Sequence, residues 1–208
     1  MLLKCGLLKC GLPKWGLLKC AENGDSVMPA SARPLAMSLL FTALPDCAPA
    51  MDFQVSTPDA VQGRFAPAQY YNGYGCTGRN IAPRIVWQGA PAQARSFAVT
   101  IFDPDAQNNN MAGHGWWHWL IVDIPASSHE LTPGQLPLGA FETVTDYGNP
   151  GYGGPCPPQG QDHRYIITVS ALKVAKLTLP ADRSPATVEA AIKAQAIKQA
   201  QTTLMAAR

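Results

Sequence analysis

Two strand-forming segments separated by a polar loop constrain the fold of this chain more than any other feature. Residues 96–102 and 116–124 are rich in aromatic and β-branched side chains and contain neither proline nor glycine. Consecutive strands usually pair as antiparallel neighbours, so the end of the first segment should lie beside the start of the second. This pairing predicts that Asp103 and Asp105 lie close to His118.

A third strand-forming segment, residues 163–169, follows a glycine-rich stretch at residues 146–162. Side chains two residues apart in a strand point to the same side, so His163 and Tyr165 share a face. Two carboxylates, two imidazoles and a phenol therefore come at strand ends next to glycine-containing loops. Such clustering at one rim of a β scaffold predicts a pocket for a small molecule.

The acidic and imidazole side chains of this rim predict anion binding that depends on pH. A carboxylate within hydrogen-bonding reach of an imidazole favours the protonated ring. A charged His118 or His163 then donates to the anion, together with the Tyr165 hydroxyl and the backbone N–H groups of residues 151–154. The second aspartate can then bind an ammonium group. We expect phosphate to bind more tightly at roughly pH 5 to 6 than at roughly pH 8.

Each of these residues also has an ordinary structural interpretation. An aspartate before a proline suits the start of a turn. His118 shares one face of its predicted strand with Leu120 and Val122, as a core histidine would. Because carboxylates and imidazoles reach one rim by independent routes, we favour a functional role for the set. For Trp117 and Trp119 we expect packing.

Composition favours one β-rich domain without a nucleic-acid partner. A chain of 208 residues can bury a sizeable core, and its 18 Gly, 19 Pro and 14% charged residues are typical of loop-rich β folds. Residues 1–50 carry five Lys or Arg against three Asp or Glu, whereas residues 51–208 carry eleven of each. The neutral body has no electrostatic footprint for nucleic acid.

The C-terminal part of the chain has a helical pattern. Ser184 and Pro185 suit an N-cap and a first helical residue. Apolar side chains then recur at every fourth position, at Val188, Ile192, Ala196, Ala200 and Leu204. We predict one amphipathic C-terminal helix packed against a β-sandwich-like domain, whose further strands lie near residues 52–56, 85–87 and 140–145.

The first 50 residues differ from the rest. Residues 1–20 repeat a unit of the form Leu-Leu-Lys-Cys-Gly without a paired C-x-x-C motif. We interpret residues 1–27 as a disordered extension or a mis-assigned start. Residues 28–50 resemble a secretory signal peptide with a basic residue, a short apolar run and an Ala-Pro-Ala cleavage site. We therefore expect a periplasmic or secreted domain at residues 51–208, without an integral membrane segment in the mature chain; a cytoplasmic protein is the alternative.

Four sequence motifs follow one another along the predicted domain: Asp-Pro-Asp-Ala at residues 103–106, Gly-Trp-Trp-His-Trp at 115–119, Gly-Tyr-Gly-Gly-Pro-Cys-Pro-Pro at 151–158 and His-Arg-Tyr at 163–165. Together they resemble the phosphatidylethanolamine-binding protein family, in particular its bacterial Raf kinase inhibitor-like branch. Their order fits the family from about residue 52 to the C-terminal helix. The resemblance implies a mainly β fold, a β-sandwich with a Greek-key-type sheet and a C-terminal helix.

The resemblance also implies a ligand pocket. The matching positions are Asp103, Asp105, Trp116, His118, Pro157, Pro158, His163 and Tyr165, and Pro104 and Gly154 belong to the same motifs. The implied function is non-enzymatic binding of a small anionic or phosphorylated ligand, such as a phospholipid head group, with no cofactor. A protein partner, such as a kinase or protease that the chain modulates or inhibits, is a further expectation, and a homodimer is an open alternative to a monomer.

The two cysteines of the globular part leave further alternatives open. Cys76 and Cys156 lie in loops near the predicted site, where an exported protein allows a disulfide, and two free thiols are the alternative. A hydrolase with Asp and His as acid and base and Cys156 as nucleophile is the competing function, although neither Gly-x-Ser-x-Gly nor His-Glu-x-x-His occurs. A zinc site formed by Asp103, His118 and His163 is a third hypothesis, although we predict no metal.

Overall fold

The computed structural model describes residues 51–106, 115–181 and 183–208. The elements in chain order are β1 (Gln54–Ser56), a 3₁₀ turn (Pro67–Gln69), β2 (Ile85–Gln88), β3 (Ser96–Asp103), β4 (Trp116–Pro125), β5 (Glu130–Leu131), β6 (Phe141–Glu142), β7 (Asp162–Leu172), α1 (Pro185–Gln195) and β8 (Ala196–Ala207). The predicted extension and signal segment lie outside the described residues, as does the polar loop at residues 107–114.

The strands form two antiparallel sheets. A three-stranded sheet has the order β1-β2-β5, and a five-stranded sheet has the order β6-β4-β3-β7-β8. In the larger sheet β7 returns to lie beside β3, so the order β7-β3-β4-β6 is that of a Greek key. The predicted β-sandwich with a Greek-key-type sheet is confirmed.

The main core lies between the two sheets. The smaller sheet and the loops beside it contribute Phe53 and Trp87, and the larger sheet contributes Phe97, Ile121 and Ile167, all of them buried. These side chains alternate along their strands with residues that face outward, as a half-buried strand requires. Removal of this apolar surface from water is the main driving force for closing the sandwich. Trp119 belongs to this core, in line with the packing role expected for it.

Helix α1 covers part of the outer face of the larger sheet. Val188 and Ile192 are buried against a second apolar cluster that includes Ala98, Leu120 and Val122. Pro185 occupies the first helical turn, where its missing N–H costs no hydrogen bond. Within the described residues, no helix has the length and apolar character needed to cross a membrane.

The predicted helix is confirmed only in its first part. Helix α1 ends at Gln195, and the chain continues as strand β8, in which Ala200 pairs with Val169 and Leu204 with Tyr165. The prediction that Ala196, Ala200 and Leu204 extend the helix was therefore wrong. A spacing of four residues equals two strand periods, so the apolar pattern fits a strand as well as a helix. Pairing with β7 decides between them.

Candidate ligand-binding site

The candidate site lies where three strands of the larger sheet meet. Asp103, the last residue of β3, pairs with Trp116, the first residue of β4. On the other side of β3, Phe102 pairs with Ile166 near the start of β7. A cavity of about 240 Å³ opens at this rim. Its walls are formed by Tyr74, Asp103, Ala106, Trp116, His118, Tyr147, Cys156, Pro157, Pro158, Gln161, His163 and Tyr165.

Most of the residues predicted for the site meet at this cavity. Those that line it are Asp103, Trp116, His118, Pro157, Pro158, His163 and Tyr165. Those that do not line it are Pro104, Asp105 and Gly154. The three exceptions were assigned to the site from the sequence, and each has a physical reason for lying elsewhere.

Asp105 is bound to Arg164 instead of facing the cavity. Its carboxylate accepts hydrogen bonds from Arg164 Nε at 2.9 Å, Nη2 at 2.6 Å and the backbone N–H at 2.9 Å. The Arg164 side chain holds the pKa of Asp105 down at about 2. Arg164 lies between His163 and Tyr165 in β7 and therefore points to the opposite side of the sheet. The structure therefore places the Asp105 carboxylate on Arg164 and not among the residues that line the cavity.

Pro104 and Gly154 have structural roles beside the pocket. Pro104 lies in a turn that Asp103 closes, because Asp103 Oδ1 accepts the N–H groups of Asp105 at 2.8 Å and Ala106 at 2.9 Å. The Gly154 N–H donates to Asn80 Oδ1 at 2.7 Å. A Cβ atom on Gly154 would lie 2.1 Å from the Gln69 carbonyl oxygen, so only glycine fits there.

The amides of Gly153 and Gly154, which were predicted to hold an anion, are hydrogen-bonded within the protein. The Gly153 N–H donates to the His118 carbonyl at 2.9 Å, and the Gly154 N–H is bound to Asn80. A Cβ atom on Gly153 would come within 2.2 Å of the Tyr147 ring. These glycines therefore allow loops to pack closely behind the cavity.

A buried pair of hydrogen-bonded side chains forms one wall of the cavity. Asp103 Oδ2 lies 2.8 Å from His163 Nδ1, with side chains only 3% and 6% exposed. The other ring nitrogen of His163 lies 2.9 Å from Gln161 Oε1. The Tyr165 hydroxyl also hydrogen-bonds to Asp103, and burial is the main cause that raises the pKa of this phenol. Both nitrogens of His163 are thus engaged, which leaves His118 as the imidazole that can meet a ligand.

A β-bulge places His118 in the cavity. Phe102 pairs with Trp117 and Ile101 pairs with Trp119, so His118 is an extra residue in β4. Its ring packs edge-on against Tyr165 with centroids 5.0 Å apart.

Because of the bulge, His118 lies on a different face of the sheet from the one predicted. Leu120 and Val122 pack on the helix-covered side of the sheet, whereas His118 points into the cavity. The extra residue shifts the alternation of the strand by one position, so the prediction that His118 shares their face is wrong.

The environment of His118 favours the neutral ring. Nδ1 donates to the Gly153 carbonyl at 2.7 Å, and Nε2 makes no hydrogen bond with the residues that the structure describes. Burial lowers the pKa of His118 to about 4, and the bond to Gly153 opposes this shift. Of the two imidazoles expected to be charged, His118 therefore favours the neutral form in the structure without ligand. In the neutral ring with Nδ1 protonated, Nε2 is a hydrogen-bond acceptor.

Trp116 supplies a second polar group without a partner. It lines the cavity, and its indole N–H is buried without a hydrogen-bond partner in the described part of the chain. A buried donor left unpaired costs roughly 1 to 3 kcal/mol. An acceptor atom of a ligand would remove that cost.

The aromatic part of the wall was missed by the sequence analysis. Tyr147 stacks on Tyr71 with ring centroids 4.5 Å apart and meets His118 edge-on at 5.5 Å. Tyr74, which is 71% exposed, lies at the mouth of the cavity and stacks on Tyr147. Tyr147 belongs to the glycine-rich stretch already noted, but no periodic signal marks either tyrosine as a wall residue. Ala106 and Gln161 were missed for the same reason.

Cys76 and Cys156 form a disulfide in the structure. The bond joins the loop that carries Tyr74 to the loop that carries Pro157, so it ties together two walls of the cavity. The sulfur of Cys156, the nucleophile in the hydrolase alternative, is engaged in this bond. Among the residues described, no group of three or more His, Cys, Asp or Glu side chains is placed to hold a metal ion.

A β-sandwich with a cavity at the rim of its larger sheet, lined by aromatic side chains and a few polar ones, is typical of a ligand-binding class of protein. The family model for phosphatidylethanolamine-binding protein matches residues 56–207. The chain belongs to this family, which confirms the resemblance seen in the sequence motifs.

Bacterial relatives agree with this assignment. Escherichia coli (strain K12) YbcL is 36% identical over 178 residues, covering 81% of this chain and 95% of YbcL. The crystal structure of E. coli YbcL, described as a new member of the mammalian family, has a TM-score of 0.70 and 35% identity over 76% of this chain and 99% of that one. E. coli YbhB is 39% identical over 141 residues, 65% of this chain and 87% of YbhB. The putative lipoprotein LppC of Mycobacterium tuberculosis (strain ATCC 25618 / H37Rv) is 35% identical over 127 residues, 61% of this chain and 58% of LppC.

Proposed function

We propose that this protein is a non-enzymatic binding protein for a small anionic ligand, of the class of a phosphorylated lipid head group. The observation that carries the proposal is that two residues lining the cavity each have a polar ring atom without a hydrogen-bond partner among the described residues. These are the Trp116 indole N–H and the Nε2 atom of His118. An anion that accepts from Trp116 and shares a proton with Nε2 satisfies both groups.

The remaining walls suit a head group with some apolar character. Pro157, Pro158 and the exposed ring of Tyr74 lie at the cavity beside the polar groups. The volume of about 240 Å³ is below the range of roughly 300 to 1,000 Å³ for sites that enclose drug-sized ligands. We infer that the pocket takes a head group and leaves any attached chain outside.

Calorimetric titration tests this proposal. The probes are inorganic phosphate and glycerophosphoethanolamine, a phosphodiester whose phosphate keeps one negative charge from roughly pH 5 to pH 8. We expect binding that weakens as pH rises, because the bound state holds one extra proton on His118, with a limit of about tenfold per pH unit. His118→Ala should lose most of the affinity, whereas Gln201→Ala, on the opposite face of the sheet, should retain it. Absence of binding at any pH, or equal binding by wild type and His118→Ala, would disprove the proposal.

We also propose that the mature protein works outside the cytoplasm. The disulfide, the signal-like residues 28–50 and the relationship to a putative lipoprotein support this location. Cell fractionation followed by intact-mass measurement of the native protein tests it. Recovery in the cytoplasmic fraction with a chain longer than residues 51–208 would contradict it.

A further inference from the structure

Asp146 is bonded to the strand that carries His118, although its carboxylate lies on the opposite side of the sheet from the ligand pocket. Its Oδ2 accepts the Trp117 backbone N–H at 2.7 Å, and its own N–H donates to the Trp117 carbonyl at 3.2 Å. The side chain lines a groove between α1 and the sheet, together with Trp117. The two bonds are reciprocal and fall on the residue immediately before the bulged His118.

The bulge depends on partners outside the regular ladder. An extra residue in a strand disrupts the local pairing of backbone groups, which then need other partners. The Trp117 N–H finds the Asp146 carboxylate, and the His118 carbonyl finds the Gly153 N–H at 2.9 Å. The His118 ring is bonded to the Gly153 carbonyl as well. The segment from Asp146 to Gly153 is therefore hydrogen-bonded to both Trp117 and His118 at the bulge.

We propose that Asp146 is a positioning residue for the ligand pocket, whose carboxylate fixes the bulge that turns the His118 side chain into the cavity. Without the extra residue, strand alternation would carry His118 to the face of Leu120 and Val122. The inference rests on the proposed function, because it assigns Asp146 a role toward the same site.

The chemistry of Asp146 fits this role. A carboxylate is a stronger acceptor for a backbone N–H than a neutral oxygen. The side chain is half-buried, and desolvation raises its pKa while the bond to Trp117 opposes the rise. Asparagine would keep an oxygen in the same position, whereas alanine would remove it. A comparison of the two substitutions therefore shows whether the oxygen that accepts the Trp117 N–H is needed.

The test follows the His118 ring by NMR during a pH titration of the full chain. In wild type the ring should stay neutral from about pH 8 down to about pH 5, because burial holds its pKa near the value of about 4. In Asp146→Ala the ring should leave its buried position and its pKa should rise toward 6.5. Asp146→Asn should behave like wild type. Gln201→Ala, a change in the same groove that does not touch β4, is the matched control.

Ligand binding gives the second readout. We expect Asp146→Ala to bind glycerophosphoethanolamine about tenfold more weakly or worse, and Asp146→Asn to recover most of the affinity. An unchanged His118 titration in Asp146→Ala overturns the inference, even if binding is lost. If wild type itself fails to bind any probe, the proposed function fails, while the titration still decides the role of Asp146.

Wild-type protein provides a test that does not depend on the folding of a variant. The Trp117 amide resonance should respond when Asp146 is protonated, because that amide donates directly to the carboxylate. The midpoint of its change in chemical shift should lie above 3.8, the ordinary pKa of an aspartate. A Trp117 amide that does not respond to this titration overturns the inference.

Discussion

Two cavities lie back to back on the five-stranded sheet, and the smaller one has the features of a binding site. The outer groove between α1 and the sheet has a volume of about 540 Å³, compared with about 240 Å³ for the pocket. Sequence neighbours face opposite cavities, in the pairs Phe102 and Asp103, Trp117 and Trp116, Ile166 and Tyr165, and Asp146 and Tyr147.

The two cavities differ in how their polar groups are paired. In the outer groove Gln199 donates to Ser170 at 2.8 Å and Gln201 donates to Thr168 at 3.1 Å. In the pocket, the indole N–H of Trp116 is buried and has no partner among the described residues. Unsatisfied buried groups, and not volume, therefore distinguish the candidate site.

Removal of Asp103 should have the largest effect on stability, because its buried carboxylate is the shared acceptor for side-chain and backbone groups on the pocket side of the sheet. Asp103→Ala leaves His163, Tyr165 and two turn amides without their acceptor, and we expect a loss of about 4 kcal/mol in the free energy of unfolding. Thr168→Ala on the outer face breaks one neutral hydrogen bond and should cost about 1 kcal/mol. Urea denaturation at neutral pH compares the two. Equal losses in the free energy of unfolding would show that Asp103 contributes no more to stability than Thr168.

The disulfide should contribute the next largest effect. Cys76 and Cys156 are 80 residues apart, so the bond restricts a long segment of the unfolded chain. We expect Cys76→Ser with Cys156→Ser to lower the free energy of unfolding by about 3 kcal/mol. Denaturation of the oxidised protein and of this double variant measures the difference. Alkylation of unreduced wild type should add no mass, and a two-thiol adduct would show that the bond does not form.

A smaller effect should appear on acidification. Because burial lowers the pKa of His118 from 6.5 to about 4 in the folded state, the unfolded chain binds a proton there that the folded chain does not. This contribution to stability is therefore complete above pH 6.5 and is lost as pH falls toward 4. Between about pH 7 and about pH 5 we expect a loss of about 2 kcal/mol from this group. His118→Gln should show a correspondingly weaker dependence in denaturation curves, and an identical dependence would contradict the assignment.

The smallest effect should come from Asp105, which the sequence placed in the pocket and the structure places outside it. Its partner Arg164 is exposed, and exposed ion pairs contribute little because solvent screens them. We expect Asp105→Ala and Arg164→Ala to leave the affinity for glycerophosphoethanolamine within about twofold of wild type. A tenfold loss of affinity in calorimetry would show that Asp105 contributes to ligand binding.

The sequence predicted the fold class and most of the cavity wall, for reasons that are local. Strand propensity and alternation identify β3, β4 and β7, and antiparallel pairing brings Asp103, Trp116 and Tyr165 together. The prediction failed where a local pattern allows two outcomes. A four-residue apolar spacing fits helix and strand alike, so the end of α1 at Gln195 was missed.

The sequence by itself determined the residue types that reach this rim, and the motifs by which the chain was placed in its family. Only the tertiary structure decided which way each side chain points and which partners it meets. His118 faces the pocket because a bulge shifts the alternation of β4, and Asp105 faces away because Arg164 binds it. Both outcomes depend on residues distant in the chain: Asp146 lies 29 positions from Trp117, and Arg164 lies 59 positions from Asp105. Such contacts form only once the strands have paired, so they cannot be predicted from local sequence patterns.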